Sequence, residues 1–259
     1  MQLVITPNPN EHKTKSPKFS ELYDSVDSLL KKENLKKFTQ KMPLYDMPAN
    51  RALIEMMACT HSIGILNDEF VGDPLDVEML KGTNFVYQTE LDSNDGLIEA
   101  LCTPDDEFKK AFGCVNEVKE NGGSSPSEEN SDSEEDNNDD NYEIGIIRRF
   151  EFSSTLQRMS VITRSLTDSR YRVFCKGSPE KIKELSLPHT VPDNFHEILT
   201  SYTQNGLRVL GLACKIAEDM SYEKVKSKQR EEFEKNLVFC GFLIMENTIK
   251  EETYGVIKD

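Results

Sequence analysis

Four short stretches carry side chains whose types and spacing suit the grip of a flat, anionic ligand. In Phe150–Glu151–Phe152–Ser153–Ser154, followed by Leu156–Gln157–Arg158, two aromatics lie close in sequence to an amide and a guanidinium. If Ile146–Phe152 is a strand, its two-residue period puts Phe150 and Phe152 on one face. They could then stack on a nucleobase while Gln157 and Arg158 hydrogen-bond it; the plainer reading is two core phenylalanines and a surface arginine. In Cys175–Lys176–Gly177–Ser178–Pro179–Glu180, a lysine ends a strand, a glycine admits close backbone approach, and Ser-Pro opens a helix. A ring or phosphate could lie beside that ammonium and the following N–H groups, although an ordinary strand–turn–helix has the same pattern. Gly72–Asp73–Pro74–Leu75–Asp76 is a turn entering a helix. Its acids favour the helix dipole, and Asp76 could instead accept from the amino group of an adenine. Arg208, among Leu207, Val209, Leu210 and Leu212, needs a carboxylate or a phosphate as partner.

Motifs of self-sufficient catalysis do not accompany these stretches. Gly206 and Gly211 have the separation of a phosphate-binding loop, but Leu212–Ala213 follows where Lys and Ser or Thr belong. The four histidines, His12, His61, His189 and His196, make no HExxH, and no GxSxG elbow occurs.

The elements that must position these residues follow from periodicity. Leu22, Val26, Leu29 and Leu30 fall on one helical face after Ser20, which predicts a helix running to about Gln40. A second helix is expected over Asn50–Ser62, with Asn50 as cap, and a third over Leu75–Lys81. Residues 85–90 read as a strand. Ile144–Phe152, Arg158–Arg164 and Tyr171–Lys176 read as antiparallel strands joined by short turns. Then come a helix from Ser178–Pro179 and a helix over Asp193–Gln204 stopped by Asn205–Gly206. A strand Leu207–Ile216, a charged helix Tyr222–Asn236 and a strand Leu237–Met245 complete the pattern. The fold class expected is α+β: a mainly antiparallel twisted sheet flanked by helices.

The chain has 259 residues and a formal net charge of −15, from 31 Lys and Arg against 46 Asp and Glu. Nine of the acids, and no Lys or Arg, fall in residues 121–143, so the rest of the chain carries only −6. This Ser-, Asn- and acid-rich stretch buries too little apolar surface to offset its ordering entropy and reads as a disordered insertion. The acidity argues against a nucleic-acid partner. A second reading makes the 121–143 loop the business of an acidic interaction module, since Ser125, Ser131 and Ser133 each have an acid three residues on. The six cysteines are scattered singly, which reads as reduced intracellular thiols. No apolar run approaches the ~20 residues of a membrane span, and the start lacks the pattern of a secretory signal.

Taken in order, GDPLD (72–76), FEFSSTLQRMSV (150–161), CKGSPE (175–180), NGLRVLGLA (205–213) and MENTIKEET (245–253) resemble the nucleotide-binding (N) domain of P-type ATPases. The likeness covers most of the chain from about Asn50. Gly72–Asp73–Pro74, Ser153–Ser154 and Glu246–Asn247 are similar to the type V branch, and Gln157 to its subclass B, associated with polyamine export from lysosomes or vacuoles. The resemblance implies ATP as ligand, and Mg-ATP in the intact pump. It implies Phe152 stacked on adenine, Lys176 and Gly177 lining base and ribose, Arg208 reaching the phosphates, and Asp76 near the adenine amino group. Gln157 stands where many ion pumps have Lys, so that cationic contact is lost or passes to Arg158. Glu246–Asn247–Thr248 would form part of a return hinge.

No DKTGT is present, so the resemblance implies a module whose partners are the phosphorylation and actuator domains of the same parent chain. Residues 1–45 would be a lead-in and helix, and 46–259 the nucleotide-binding domain. The module would be a monomer without membrane contact of its own, on the cytosolic face of a lysosomal, vacuolar or endosomal membrane. It would have no metal ligands or catalytic residues of its own.

Overall fold

The computed structural model describes residues 2–5, 21–23, 49–89, 97–112, 142–166 and 169–246. Eleven strands and seven α-helices occur among them: β1 Gln2–Ile5, β2 Glu21–Tyr23, α1 Ala49–Cys59, β3 Gly64–Leu66, β4 Glu69–Val71, α2 Pro74–Lys81, β5 Val86–Gln88, β6 Ala100–Thr103, α3 Asp106–Ala111, β7 Ile144–Ser153, β8 Arg158–Ser165, β9 Tyr171–Gly177, α4 Pro179–Leu185, α5 Phe195–Gln204, β10 Arg208–Ile216, α6 Tyr222–Ser227, α7 Arg230–Phe233 and β11 Val238–Met245. Nine strands form one sheet in the order β2-β1-β11-β10-β9-β8-β7-β6-β5, and every neighbouring pair is antiparallel. The expected α+β class, with a mainly antiparallel sheet between helices, is what the chain forms.

The central strands are covered on both faces, which is why they read as apolar runs rather than clean alternations. One layer of core joins α1, α2 and α3 to Val161, Phe174, Leu212 and Cys240. The other joins α4, α5 and α7 to Ile162, Val173, Phe239 and Phe242. On this second face Phe195, Phe239 and Phe242 meet edge to face, with ring centres 5.1 to 5.6 Å apart, the arrangement aromatic quadrupoles favour. Helix α1 is buried on every side from Ala52 to Cys59.

Three expectations change. Glu21–Tyr23, placed in a helix by the period of Leu22 and Val26, is a strand on β1; pairing with an exposed sheet edge satisfies the backbone there more fully than an isolated helical turn. The rest of that helix, the acidic stretch up to Asn141 and the hinge residues Asn247–Thr248 lie outside the described residues. The charged helix over Tyr222–Asn236 is two short helices, α6 and α7, because Lys228 and Gln229 are extended and Gln229 and Glu232 close a capping box. The break lets Glu234 turn inward to the sheet. Helix α1 begins at Ala49, one residue before the expected cap, and ends at Cys59, where His61 bonds back to the Ala58 carbonyl at 2.8 Å.

The hairpin β3–β4 was not anticipated. Asn67 and Asp68, at its two-residue turn, have φ of 51° and 62°, the left-handed pair that a tight hairpin needs. Asn-Asp between short apolar runs was the signal for it.

Candidate functional site

The C-terminal ends of β7 and β9, the start of β8 and the N-terminus of α2 meet on the α1–α2 face of the sheet. Pro74 opens α2 behind Asp73, whose carboxylate accepts from the Leu75 N–H at 2.9 Å. The cap fixes Asp76 in the first turn, on the side turned to the sheet. There Lys176, next to last in β9, donates its ammonium to Asp76 Oδ1, and its Nζ also lies 3.9 Å from Met79 Sδ. Lys176 is 5% exposed and Asp76 9%. Burial pushes the Lys176 ammonium down from its ordinary value and Arg208 adds to this, while Asp76, and then Asp73, hold it up. Arg208, exposed at the start of β10, shares a face with Leu210 and Leu212, and Leu212 stands opposite Lys176 in the ladder.

The hairpin β7–β8 supplies the aromatic. Phe150 pairs with Ser160 and Ser153 with Arg158, so Glu151 and Phe152 together oppose Met159. This bulge corrects the expected shared face of Phe150 and Phe152: one extra residue reverses the alternation. Phe150 packs on the opposite face, 5.9 Å from Phe233 between ring centres, with the Arg148 guanidinium 4.4 Å from its own ring centre. Phe152 passes to the Lys176 side and is 61% exposed. At the tip, Gln157 is exposed with φ 54°, and its N–H donates to the Ser153 carbonyl at 2.6 Å.

Arg158 is not brought to this face. Its Nε donates to Glu234 at 2.6 Å on the α7 side, and its NH1 donates to the Leu156 carbonyl at 3.2 Å. Adjacent residues of a strand point to opposite faces, so with Met159 on the Lys176 side Arg158 must turn away. Glu234 also accepts from Ser160 at 2.6 Å and from Arg230 at 2.7 Å. Arg230 in turn donates to the carbonyls of Glu151 and Arg158, at 3.0 and 2.8 Å. The network thus clamps the bulge from behind.

Gly177 does admit a close approach, but to the chain itself. A Cβ there would lie 2.4 Å from the Gln157 carbonyl oxygen and 2.7 Å from Arg158 Cβ. The Ser178 N–H, one of those beside which a ring or phosphate could lie, donates to that Gln157 carbonyl at 2.9 Å, as in an ordinary strand–turn–helix. The Ser178 hydroxyl caps α4 through the Lys181 N–H, as its sequence predicts.

Several neighbours escaped the sequence reading. Ser62 lies between two carboxylates: its N–H donates to Asp76 Oδ2 at 3.4 Å and its hydroxyl to Glu151 Oε2. His61, fully buried, packs edge-on to Tyr87 at 4.7 Å. Burial lowers the His61 pKa to about 3, and the Arg149 and Lys176 charges press the same way. The Tyr87 hydroxyl donates to the Ile63 carbonyl and accepts from Arg149, both at 3.1 Å. These contacts join residues tens of positions apart, and no local pattern announces them. A separate cavity of about 630 Å³ lies between α4 and α5, walled by Glu180, Lys183 and Phe195; it has no part in this site.

Comparison with known proteins now places the chain. The family model of the P-type ATPase cytoplasmic domain N matches residues 69–252. The polyamine-transporting ATPase 13A3 of Homo sapiens is 33% identical over 215 residues, covering 83% of this chain and 17% of the relative. The vacuolar cation-transporting ATPase YPK9 of Saccharomyces cerevisiae is 31% identical over 253 residues, covering 93% of this chain and 16% of the relative. The probable cation-transporting ATPase 13A4 of Gallus gallus is 35% identical over 215 residues, covering 83% and 16%. The chain spans about a sixth of the length of these curated relatives. Among the described residues no helix is long and apolar enough to cross a membrane. The family match spans α2, the β7–β8 hairpin, β9 and β10, the elements that carry Asp76, Phe152, Lys176 and Arg208, and so the chain belongs to the cytoplasmic N-domain family of P-type ATPases, on its type V branch.

Proposed function

We propose that this domain binds ATP with the adenine on Phe152, over the floor made by Lys176 and Asp76, and with the phosphates directed toward Arg208. The observation that carries the reading is the bulge, which sets a largely exposed phenyl ring on the same face as a buried Lys–Asp pair. An exposed Phe costs apolar hydration, and a flat base offers it a stacking partner. Gln157 and Gly177 edge the pocket; Arg158 holds the hairpin rather than the ligand. In the parent protein the bound Mg-ATP would be carried by domain closure to an aspartate on a separate phosphorylation domain, and proximity would be the contribution of this domain to catalysis. The names of the relatives support a polyamine- or cation-transporting pump, one of them vacuolar, and the family description supports a module on the cytosolic side of the membrane; we take the isolated module to be a monomer.

An NMR titration of the 259-residue chain with ATP tests this. Shifts are expected to cluster at Phe152, Lys176 and Arg208, and Phe152→Ala is expected to remove most of the affinity. Phe152 is largely exposed, so the variant should keep its stability within about 0.5 kcal/mol. Unchanged affinity in Phe152→Ala, or shifts elsewhere, would overturn the assignment.

A further inference from the structure

We infer that the cavity between α4 and α5 is a second ligand site, suited to a small zwitterion with an apolar body such as a short peptide; the inference is independent of the nucleotide reading above. The cavity is about 630 Å³, within the range that small-molecule sites occupy. It lies on the side of the sheet covered by α4, α5 and α7, whereas Lys176 and Asp76 lie on the side covered by α1 and α2. Its floor is apolar, for the Phe195 ring and Val191 are both buried. On that floor stands Lys183. Its Nζ lies 5.0 Å from the centre of the Phe195 ring, a cation–π distance, and 2.8 Å from His196 Nε2. An ammonium only donates hydrogen bonds, so Nε2 is the accepting nitrogen and the imidazole brings Lys183 no counter-charge. Carboxylates are near, yet none meets this ammonium. Glu184 is taken by Lys181. Glu180 and Asp193, both exposed, line the same cavity, and among the described residues neither they nor Lys183 form an ion pair. The two signs of charge are thus held apart across one concave surface.

A ligand with one carboxylate and one ammonium completes this arrangement. Its carboxylate takes a charge-assisted hydrogen bond from Lys183, the strong kind, and its ammonium is met by Glu180 and Asp193. Its apolar body covers Phe195 and Val191 and removes them from water. Other ligand classes fit less well. A polyphosphate brings negative charge against the two acids, and like charges in contact are a penalty that specificity exploits. A simple organic cation finds the Phe195 ring already occupied by the Lys183 ammonium. His196 is a positioning residue, since its ring nitrogen and Phe195 together fix where the ammonium of Lys183 stands.

The probe is the dipeptide leucyl-phenylalanine, titrated into the 259-residue chain and followed by amide shifts. Shifts are expected at Lys183, Val191, Phe195 and His196, and not at Phe152 or Arg208. Two blocked forms of the probe, its C-terminal amide and its N-acetyl derivative, each lack one charge. Each should bind about tenfold more weakly, the loss of one charge-assisted hydrogen bond. Lys183→Met keeps an unbranched chain over Phe195 and removes the charge. It should lose the same factor for the free dipeptide, become indifferent to the C-terminal block, and keep the ATP affinity of the parent. No shift at the four residues with millimolar dipeptide would overturn the inference, as would shifts centred on Phe152. Blocked peptides that bind as tightly as the free one would also sink it, since the cavity would then read only the apolar body. A folded Lys183→Met protein with unchanged dipeptide affinity would do the same. The blocked peptides are tested on the parent chain, so a variant that fails to fold leaves the test decisive. Each of these failures leaves the nucleotide reading untouched.

Discussion

Lys176 illustrates how a residue suited to ligand chemistry becomes part of the fold as well. Its ammonium is nearly buried and its partner is Asp76, so removing the lysine strands a carboxylate in an apolar setting. Breaking a buried pair from one side costs about 3–5 kcal/mol, whereas replacing both partners by apolar groups is often neutral. Lys176→Ala is therefore expected to lower the urea midpoint strongly, and its loss of ATP binding would conflate two effects. The double variant Lys176→Met with Asp76→Leu should recover most of the stability and none of the nucleotide affinity; a double variant as unstable as the single would refute the pairing argument. Gly177 belongs with it. The sequence motif marked a glycine that lets backbone approach, and only the folded chain shows that the approaching backbone is Gln157–Arg158 rather than a ligand. The residue types were legible, but their partners were not, because Asp76 and Lys176 are a hundred residues apart.

At the scale of elements, the hairpin β7–β8 is shaped from the far side of the sheet. Glu234 receives Arg158, Ser160 and Arg230, and Arg230 reaches back to the Glu151 carbonyl inside the bulge. Glu234→Gln leaves two guanidinium groups without their shared counter-charge. A loss of about 3–5 kcal/mol is expected, together with faster amide exchange at Gln157 and Ser178 and, on the proposed reading, weaker ATP binding, since Glu234 lies on the opposite face of the sheet from Lys176. A variant with native exchange rates and native affinity would remove the clamp from the account. Periodicity identified most of these elements within a residue or two. It missed the bulge, which is set by register between strands, and it joined α6 to α7, because the charged face of a helix looks the same whether or not one acid must turn inward.

For the whole molecule, the layer of α1 against the sheet contains a proton-sensitive group. His61 lies in the connection from α1 to β3, with its Nε2–H on the Ala58 carbonyl and with Nδ1 3.4 Å from the Ile63 nitrogen, an arrangement of the neutral ring. Its folded pKa, about 3, lies below the unfolded 6.5, so the unfolded chain gains a proton first as the pH falls. The stability due to this group is thus present above pH 6.5 and lost between 6.5 and about 3, by about 1.4 kcal/mol per pH unit. The difference in urea midpoint between the parent chain and His61→Gln should narrow across that window; a constant difference would show that His61 does not titrate with unfolding. The sequence alone determined the class of the fold, most of the elements from β7 onward and the family, because hydrophobic period, caps and turn residues are local and the five motifs are contiguous. Only the tertiary structure decided which residues meet. It turned Arg158 to Glu234, set Phe152 opposite Met159 in the bulge, and placed Ser62 between Asp76 and Glu151. Those outcomes depend on strand register and on burial of charge across long separations, and neither is written in any single stretch of chain.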